Sequence, residues 1–188
     1  AATWNSTSSR YWLAASWAPT GSPSSVRWTG TDIAGWPVLG HLARVTGAIF
    51  VNRERRRDAI RVLGEIDRAW TEGAGIVLFP EGTSSRGDQV YPLKSALLEW
   101  AVRREQPVHA AALRYATGNP ATPADVVVCW WGDAAFGGHA SVLLAIPRIE
   151  ATLTFHPEPA RETDRNRMAD LLHARLTESH QPCGGRHP

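Results

Sequence analysis

The sequence of 188 residues is poor in cysteine, and this shortage narrows the classes of protein that it can encode. Its two cysteines, Cys129 and Cys183, are too few and too far apart to suggest a disulfide framework or a thiolate metal site. No spacing of histidine, cysteine and carboxylate side chains suits a metal ion, so we expect no metal. This cysteine content favours a reducing compartment.

Long hydrophobic runs are also lacking. No apolar stretch approaches the roughly 20 residues that span a bilayer, and the start of the chain has no signal-peptide pattern. The first residue is Ala1 rather than methionine, so we expect the chain to be a fragment or a processed form.

Lysine is nearly absent, since Lys94 is the single lysine among 20 basic residues. We attribute the excess of arginine to genomic composition. The net charge of +2 is too small to indicate nucleic-acid binding, and the glycine-rich nucleotide motifs do not occur. A hydrophobic fraction of 43% and a charged fraction of 20% are ordinary for a globular protein of one domain.

Tryptophan, in contrast, is abundant, with nine residues in the chain. Five of them lie in the first 36 residues: Trp4, Trp12, Trp17, Trp28 and Trp36. Tryptophan favours the boundary between membrane and water, because its ring is apolar and its N–H needs a partner. The same residues could equally be core and turn aromatics, so both interpretations stay open.

Hydrophobic periodicity predicts alternating strands and helices along the chain. The predicted strands are residues 47–51, 76–79, 108–115, 125–131 and 149–155. The predicted helices are residues 11–18, 32–44, 54–72, 93–104, 139–145 and 162–179. This alternation predicts an α/β fold, a single layered domain with a mixed, largely parallel sheet flanked by helices. We expect the domain at residues 32–180, between an irregular segment at 1–31 and a disordered tail at 181–188.

Residues 75–87 are the stretch around which the chain is organised. Four apolar residues, 76–79, form a run typical of a strand buried on both faces. Pro80 ends the run, and a loop with two glycines, three hydroxyls and Arg86 follows. We call residues 79–87 the Pro-Glu-Gly loop. Because open α/β sheets bind ligands at the carboxyl ends of their strands, we expect Glu81 to lie in a binding site.

Four blocks of sequence resemble the 1-acyl-sn-glycerol-3-phosphate acyltransferases and their lysophospholipid relatives. Residues 79–85 match F-P-E-G-T-x-S, and residues 47–53 match G-x-x-F-[IV]-x-R. Residues 91–98 and 106–115 resemble the two blocks that follow in this family. The resemblance covers residues 32–175 and implies the glycerol-phosphate acyltransferase fold.

By this resemblance, the chain moves a fatty acyl group from acyl-CoA or acyl carrier protein to a lysophospholipid such as 1-acylglycerol-3-phosphate, without a cofactor. It would work at the cytoplasmic face of a membrane, peripherally or anchored by a segment absent from this chain. Carried over by position, Glu81 is the catalytic candidate. The substrate-binding candidates are Arg53, Gly82, Thr83, Ser84, Arg86 and Lys94.

Structural interpretations of the same residues stay open. Glu81 could cap a turn, and the hydroxyls of Thr83 and Ser84 could bond locally to the backbone. Arg53 begins an arginine-rich run at a helix start, and such runs are usually solvated. A nearby anion, such as a phosphate or a lipid headgroup, would offset their poor fit to the helix dipole.

One family motif, H-x-x-x-x-D, does not occur in this chain. Its expected place is near residues 9–15, where Arg10 and Ala15 stand instead. A guanidinium stays protonated and cannot act as a base. The alternative function is therefore an inactive relative that binds lipid or phosphate without acyl transfer.

Overall fold

In this computed structural model, the structure describes residues 12–15, 25–30, 41, 48–51, 58–131 and 136–183. The strands are β1 (Trp12–Ala15), β2 (Ser25–Gly30), β3 (Ala48–Val51), β4 (Gly75–Leu78), β5 (Val108–Ala116) and β6 (Glu150–Phe155). The helices are α1 (Asp58–Thr71), α2 (Glu99–Arg103), α3 (Ala124–Val127), α4 (Phe136–Ala145) and α5 (Arg165–Ser179), with a 3-10 turn at Ser95–Leu97.

The strands form one six-stranded sheet in the order β3-β2-β4-β1-β5-β6. The first five strands are parallel, and β6 runs antiparallel to β5 at the edge. β4 lies between β2 and β1, and its Ile76 and Leu78 are buried. This arrangement confirms the predicted α/β class with a mixed, largely parallel sheet.

The N-terminal part of the chain contributes strands, which corrects two predictions. Residues 11–18 were expected to form a helix, but Trp12–Ala15 is the internal strand β1, paired with both β4 and β5. The segment 1–31 was expected to be irregular, but it also contains β2, which pairs with β3 and β4. The pairing partners are distant in sequence, so the local pattern did not reveal them.

Helix α1 confirms the predicted helix over its described residues, with Leu63, Ala69 and Trp70 packed against the core. Val62 and Ile66 are buried, whereas Ile60, which the pattern placed inward, is 75% exposed. The core side is also fixed by Trp100 of α2, whose indole N–H donates to Asp67 Oδ1 over 2.9 Å. Trp70 packs against the same ring edge-on, with 5.3 Å between centroids.

Residues 125–131 were expected to be a buried strand, and this prediction is wrong. Pro123 has an extended backbone, and the chain then turns into the short helix α3, with the N–H groups of Val128 and Cys129 donating to Ala124 O. Because proline is well placed before a first helical turn, it starts the helix here despite the β-branched residues that follow. Val126 is consequently exposed.

The C-terminal helix and the residues after it complete the described structure. Asp164 caps α5 by accepting the N–H groups of Asn166 and Arg167, confirming the predicted helix at 162–179 apart from its first residues. The tail was expected to be disordered from residue 181, but Cys183 is buried and its N–H donates to Gly87 O over 2.9 Å. No helix among the described residues is both long and apolar enough to cross a bilayer.

Candidate functional site

The Pro-Glu-Gly loop begins with a tight turn at the carboxyl end of β4. The N–H of Gly82 donates to Phe79 O over 3.1 Å, and Gly82 has a φ of +66°, which favours glycine. The carbonyl of Pro80 accepts the N–H of Lys94 over 2.8 Å. These bonds tie both ends of the segment 80–94 together, so a rigid strand delivers Glu81 to a fixed position.

Glu81 is a buried carboxyl with an unsatisfied oxygen. It is 3% exposed, its Oε2 accepts the N–H of Tyr91 over 3.3 Å, and its Oε1 has no hydrogen-bond partner in the described part of the chain. Burial raises the pKa of Glu81 to about 8, although the Tyr91 N–H works in the opposite direction. Glu81 is therefore mainly a neutral acid at pH 7.

Lys94 brings its ammonium group against the backbone of Gly82. A Cβ placed on Gly82 would lie 3.1 Å from Lys94 Nζ and 3.1 Å from its Cδ. The absence of a side chain at position 82 therefore serves both the positive φ and the close approach of a cation. Lys94 is exposed, so its charge is available to an anionic ligand at the surface.

The three hydroxyl residues of the loop differ in their surroundings. Thr83 is exposed, and its Oγ1 donates to the carbonyl of Ser84 over 3.3 Å, as the structural interpretation expected. Ser84 is half-buried. Ser85 is buried and its Oγ accepts the N–H of Gly87 over 3.2 Å, so this hydroxyl stabilises the loop itself.

Arg86 points to a second group of side chains at the far end of the loop. Its Nη2 donates to Asp125 Oδ2 over 2.9 Å, and its guanidinium lies 5.0 Å from the ring centroid of Trp131. The indole N–H of Trp131 in turn donates to the carbonyl of Asp125 over 3.2 Å. One ion pair and one aromatic face thus hold the Arg86 guanidinium in place, and Trp131 is itself bonded to Asp125.

Arg53 lies outside the described residues, so its predicted position beside Glu81 stays a prediction. The strand before it, β3, ends at Val51. β3 and β4 are parallel and separated by β2 alone, so they end at the same edge of the sheet. The backbone topology is therefore compatible with the predicted meeting of Arg53 and Glu81.

The place expected for the missing H-x-x-x-x-D motif falls on β1. Arg10 lies outside the described residues, and Ala15 pairs with Ala111 inside the sheet. Of the histidines, His109 is level with Val77 across β1, and Val77 lies four residues before Glu81 along the chain. Burial lowers the pKa of His109.

His173 is partly buried against the segment next to the loop. A ring nitrogen of His173 lies 3.2 Å from the carbonyl of Val90, the residue before Tyr91. This contact lies next to the backbone N–H of Tyr91, which donates to Glu81. Within the described ranges, no group of three histidine, cysteine or carboxylate residues could hold a metal ion.

Sequence reasoning missed Tyr91, Asp125 and Trp131 as neighbours of the Pro-Glu-Gly loop. Asp125 lies 39 residues from Arg86, and the predicted strand at 125–131 concealed the helix that presents it. Tyr91 acts through its backbone N–H, which leaves no trace in side-chain chemistry. No signal in one sequence would have identified these contacts.

Residues 12–114 match the protein-family model described as Acyltransferase. A lyso-ornithine lipid O-acyltransferase from Rhodobacter capsulatus is 30% identical, covering 76% of this chain and 52% of the relative. One from Brucella abortus is 32% identical, covering 78% and 59%. A 1-acyl-sn-glycerol-3-phosphate acyltransferase from Neisseria gonorrhoeae is 36% identical, covering 45% and 33%. The chain thus spans little more than half the length of the lyso-ornithine lipid relatives.

A solved structure supports the fold. The crystal structure of the 1-acyl-sn-glycerophosphate acyltransferase PlsC from Thermotoga maritima has a TM-score of 0.51 to this chain at 16% identity. The likeness covers 90% of this chain and 66% of that one. At this level of identity it shows a shared fold, the one that the resemblance implied.

Proposed function

The chain belongs to the acyltransferase family, and we propose that it transfers a fatty acyl group from a thioester to a lysophospholipid such as 1-acylglycerol-3-phosphate. The observation that carries this proposal is that the matched residues include the Pro-Glu-Gly loop, where the neutral acid of Glu81 and the ammonium of Lys94 both adjoin Gly82. In the reaction, the lipid hydroxyl oxygen bonds to the carbonyl carbon, the carbon–sulfur bond breaks, and the hydroxyl proton passes to the departing thiol.

Lys94 and Glu81 suit complementary roles towards an anionic headgroup. The Lys94 ammonium supplies the positive charge, and the absence of a side chain on Gly82 lets a phosphate approach both the cation and the backbone. In its neutral form, Glu81 donates a hydrogen bond to an oxygen of the acceptor, which gives a partner to the Oε1 atom that has none in the described residues. The hydroxyl of Ser84 is a further candidate donor, whereas Thr83 would first have to release the carbonyl of Ser84.

We assign Arg86 to holding the loop, because Asp125 and Trp131 already engage its guanidinium. Arg53, two residues after β3, is the cation that we propose completes the headgroup site from the neighbouring strand. Without the motif H-x-x-x-x-D, a general base worth about 10²–10⁴-fold is missing from its expected place. Turnover is therefore expected to be slower than in relatives that carry this motif.

A lyso-ornithine lipid is the second candidate acceptor. Three of the relatives carry that activity in their names, and they match 76–78% of this chain. The 1-acyl-sn-glycerol-3-phosphate relatives match a shorter part, 45% of the chain in the Neisseria gonorrhoeae protein. Because Lys94 would bind any anionic oxygen, the local geometry fits both acceptors.

We propose that the chain acts at a membrane surface, on the cytoplasmic side where acyl-CoA and acyl carrier protein occur. Exposed apolar side chains lie on α3 and α4 and next to them, close to Arg86. They are Val126, Trp131, Val142 and Leu144, of which Leu144 is 87% exposed. Helices α3 and α4 contact each other, and we propose that the side of α4 that carries Leu144 faces the lipid, since Val142, two residues earlier, lies on a different side of the helix.

The test is an acyl-transfer assay on the purified chain. Radiolabelled acyl-CoA or acyl carrier protein is offered with 1-acylglycerol-3-phosphate or lyso-ornithine lipid in mixed micelles, and the extracted lipids are separated. We expect a labelled two-chain lipid from at least one acceptor. Binding of the acceptor without any labelled product, under conditions in which a relative bearing H-x-x-x-x-D is active, would support the inactive alternative instead.

Variants of the site sharpen the same assay. Lys94→Met should reduce kcat/KM by about 10–100-fold through the loss of a charge-assisted contact, and Lys94→Arg should restore much of it. Glu81→Ala should cost a similar factor, whereas Glu81→Gln keeps a hydrogen-bond donor and should retain activity. Equal loss in both Glu81 variants would contradict the donor role.

Membrane contact is tested by flotation with anionic vesicles. Leu144→Glu places a charge on the proposed surface and should reduce vesicle binding. Leu153→Glu is the matched control, since Leu153 is an exposed apolar residue on the edge strand β6. Equal binding by the two variants would argue against this surface.

A further inference from the structure

Cys129 and Cys183, distant in sequence, meet beside the Pro-Glu-Gly loop. A Cβ placed on Gly87 would lie 2.6 Å from Cys183 Sγ and 3.8 Å from Cys129 Sγ, so both sulfurs converge on one point. Both cysteines are free and buried, and they pack with Tyr115 and Val128 in the same apolar cluster. The proposed acyl transfer uses neither of them.

Hydrogen bonds connect the two thiols with each other and with the surrounding backbone. Cys129 and Cys183 share a side-chain hydrogen bond, and the N–H of Tyr115 donates to Cys183 Sγ over 3.4 Å. The backbone N–H of Cys183 donates to Gly87 O over 2.9 Å. The two sulfurs are therefore held together, and the segment 180–183 is attached directly to the loop.

The two thiols differ in acidity, as an attacking and a resolving thiol should. The hydrogen bond from Cys129 lowers the pKa of Cys183 to about 7, and the Tyr115 N–H and the charge of Arg114 act in the same direction against desolvation. The same hydrogen bond, with burial, raises the pKa of Cys129. The shared hydrogen bond therefore makes Cys183 the more acidic thiol of the pair, which suits it to the attacking role.

We propose that Cys129 and Cys183 form a reversible modification site, at which a low-molecular-weight disulfide such as oxidised glutathione converts them into an intramolecular disulfide. The Cys183 thiolate attacks one sulfur of the oxidant, whose S–S bond breaks and releases one thiolate. Cys129 then gives up its proton and attacks the Cys183 sulfur of the mixed disulfide, which releases the second thiolate. Two cysteine thiols are oxidised while one small disulfide is reduced to two thiols.

The bond fastens the C-terminal segment to the end of α3 across the Pro-Glu-Gly loop. In the reduced protein, the hydrogen bonds that hold residues 182–183 include Cys183 N–H to Gly87 O over 2.9 Å, Arg114 Nε–H to Pro182 O over 3.3 Å, and Tyr115 N–H to Cys183 Sγ over 3.4 Å. Because both sulfurs are buried, oxidation requires local opening of this segment. The covalent link then prevents that opening.

The experiment incubates the purified full chain in glutathione redox buffers, quenches with acid, alkylates the remaining thiols with a maleimide and measures the intact mass. We expect a monomer lighter by two hydrogen atoms that takes up no maleimide, and a proteolytic peptide pair joined through Cys129 and Cys183. The oxidised form should melt higher by roughly 5–15 °C, because the closed loop is long. Reduction with dithiothreitol should reverse both changes.

Cys129→Ser and Cys183→Ser are the matched controls, and both should lose the mass change and the shift in melting. In the Cys129→Ser protein, Cys183 should instead accumulate a stable glutathione adduct. Separate adducts on both cysteines of the wild type, a disulfide between two chains, or thiols that stay reduced at every glutathione ratio would each overturn the proposal. These outcomes are read in the wild-type protein, so they do not depend on the folding of the variants.

Discussion

Residues 81–82 and residues 85–87 lie at the two ends of one loop, and their polar groups differ in the hydrogen-bond partners that they have. At the first end, the buried Oε1 of Glu81 has no partner among the described residues, and an exposed ammonium lies against Gly82. At the second end, Ser85 accepts a hydrogen bond from the Gly87 N–H, and Arg86 is paired with Asp125. Gly87 also accepts the N–H of Cys183.

This difference suggests that the first end of the loop binds a ligand and that the second end holds the loop in position. An unsatisfied buried polar group costs about 1–3 kcal/mol. Asp125 Oδ1, beside Arg86, is such an atom as well, so the exposed ammonium of Lys94 is the feature that distinguishes the first end as a site for an anion. The bonded end holds the loop to α3 and to the C-terminal segment, which keeps the first end in place. The following substitutions test this division, from the largest expected effect to the smallest.

The largest effect concerns the pH dependence of stability at Glu81. Its pKa is raised from 4.5 to about 8, so between these values the folded protein keeps a proton that the unfolded chain has released. The free energy of unfolding should therefore fall as pH rises, by up to about 4–5 kcal/mol across the whole window. The contribution is present below the lower value and is lost as pH rises through the upper one.

Urea unfolding at about pH 5 and about pH 7 measures this dependence, with Glu81→Gln as the control that cannot titrate. From pH 5 to pH 7, the free energy of unfolding of the wild type should fall by about 2–3 kcal/mol relative to that of Glu81→Gln. Parallel stability curves for the two proteins would show that the carboxyl is ionised in the folded state.

A methyl group at Gly87 should have the next largest effect. Gly87 has a φ of +72°, and the added Cβ would lie 2.6 Å from Cys183 Sγ. Gly87→Ala should therefore cost about 2–5 kcal/mol of unfolding free energy, from backbone strain and overpacking together. Gly118→Ala isolates the strain, because Gly118 has a φ of +70° with no atom within 4 Å of the added Cβ. Equal costs in both variants would show that the Cys183 contact relaxes freely.

Gly82→Ala should affect binding more than stability. The added Cβ would meet the flexible end of Lys94 at 3.1 Å, and this side chain can move away. The loss of unfolding free energy should be about 1–2 kcal/mol, similar to Gly118→Ala. KM for the anionic acceptor should rise while kcat changes little, which steady-state kinetics measures. A lowered kcat with constant KM would place Gly82 at the reacting atoms rather than at the headgroup.

The smallest effect is expected for Arg86. Its side chain is 44% exposed, so solvent screens its pair with Asp125. Arg86→Gln should cost about 1 kcal/mol or less of unfolding free energy and change kcat/KM less than Lys94→Met does. A double-mutant cycle with Asp125→Asn measures the pair itself. A loss of acyl transfer as large as that of Lys94→Met would make Arg86 a ligand of the acceptor.

Much of the fold could be predicted because its signals are local. The apolar run before Pro80 predicted β4, the helical spacing of Met168, Leu172 and Leu176 predicted α5, and these elements are confirmed. β1 was missed because Trp12–Ala15 is only four residues long and is fixed as a strand by partners far along the chain. The helix at Ala124–Val127 was missed because its valines favour strands, and Pro123 overrides them.

The sequence by itself determined the family, the α/β class and the residues of the Pro-Glu-Gly loop, because each depends on residue type and spacing within a short window. Only the tertiary structure decided that Glu81 is buried and its pKa raised, that Asp125 holds Arg86, and that Cys129 meets Cys183. A pKa depends on burial, and a contact depends on how distant segments pack. Neither quantity is encoded in the local pattern of residues, so both appear only when the chain is folded.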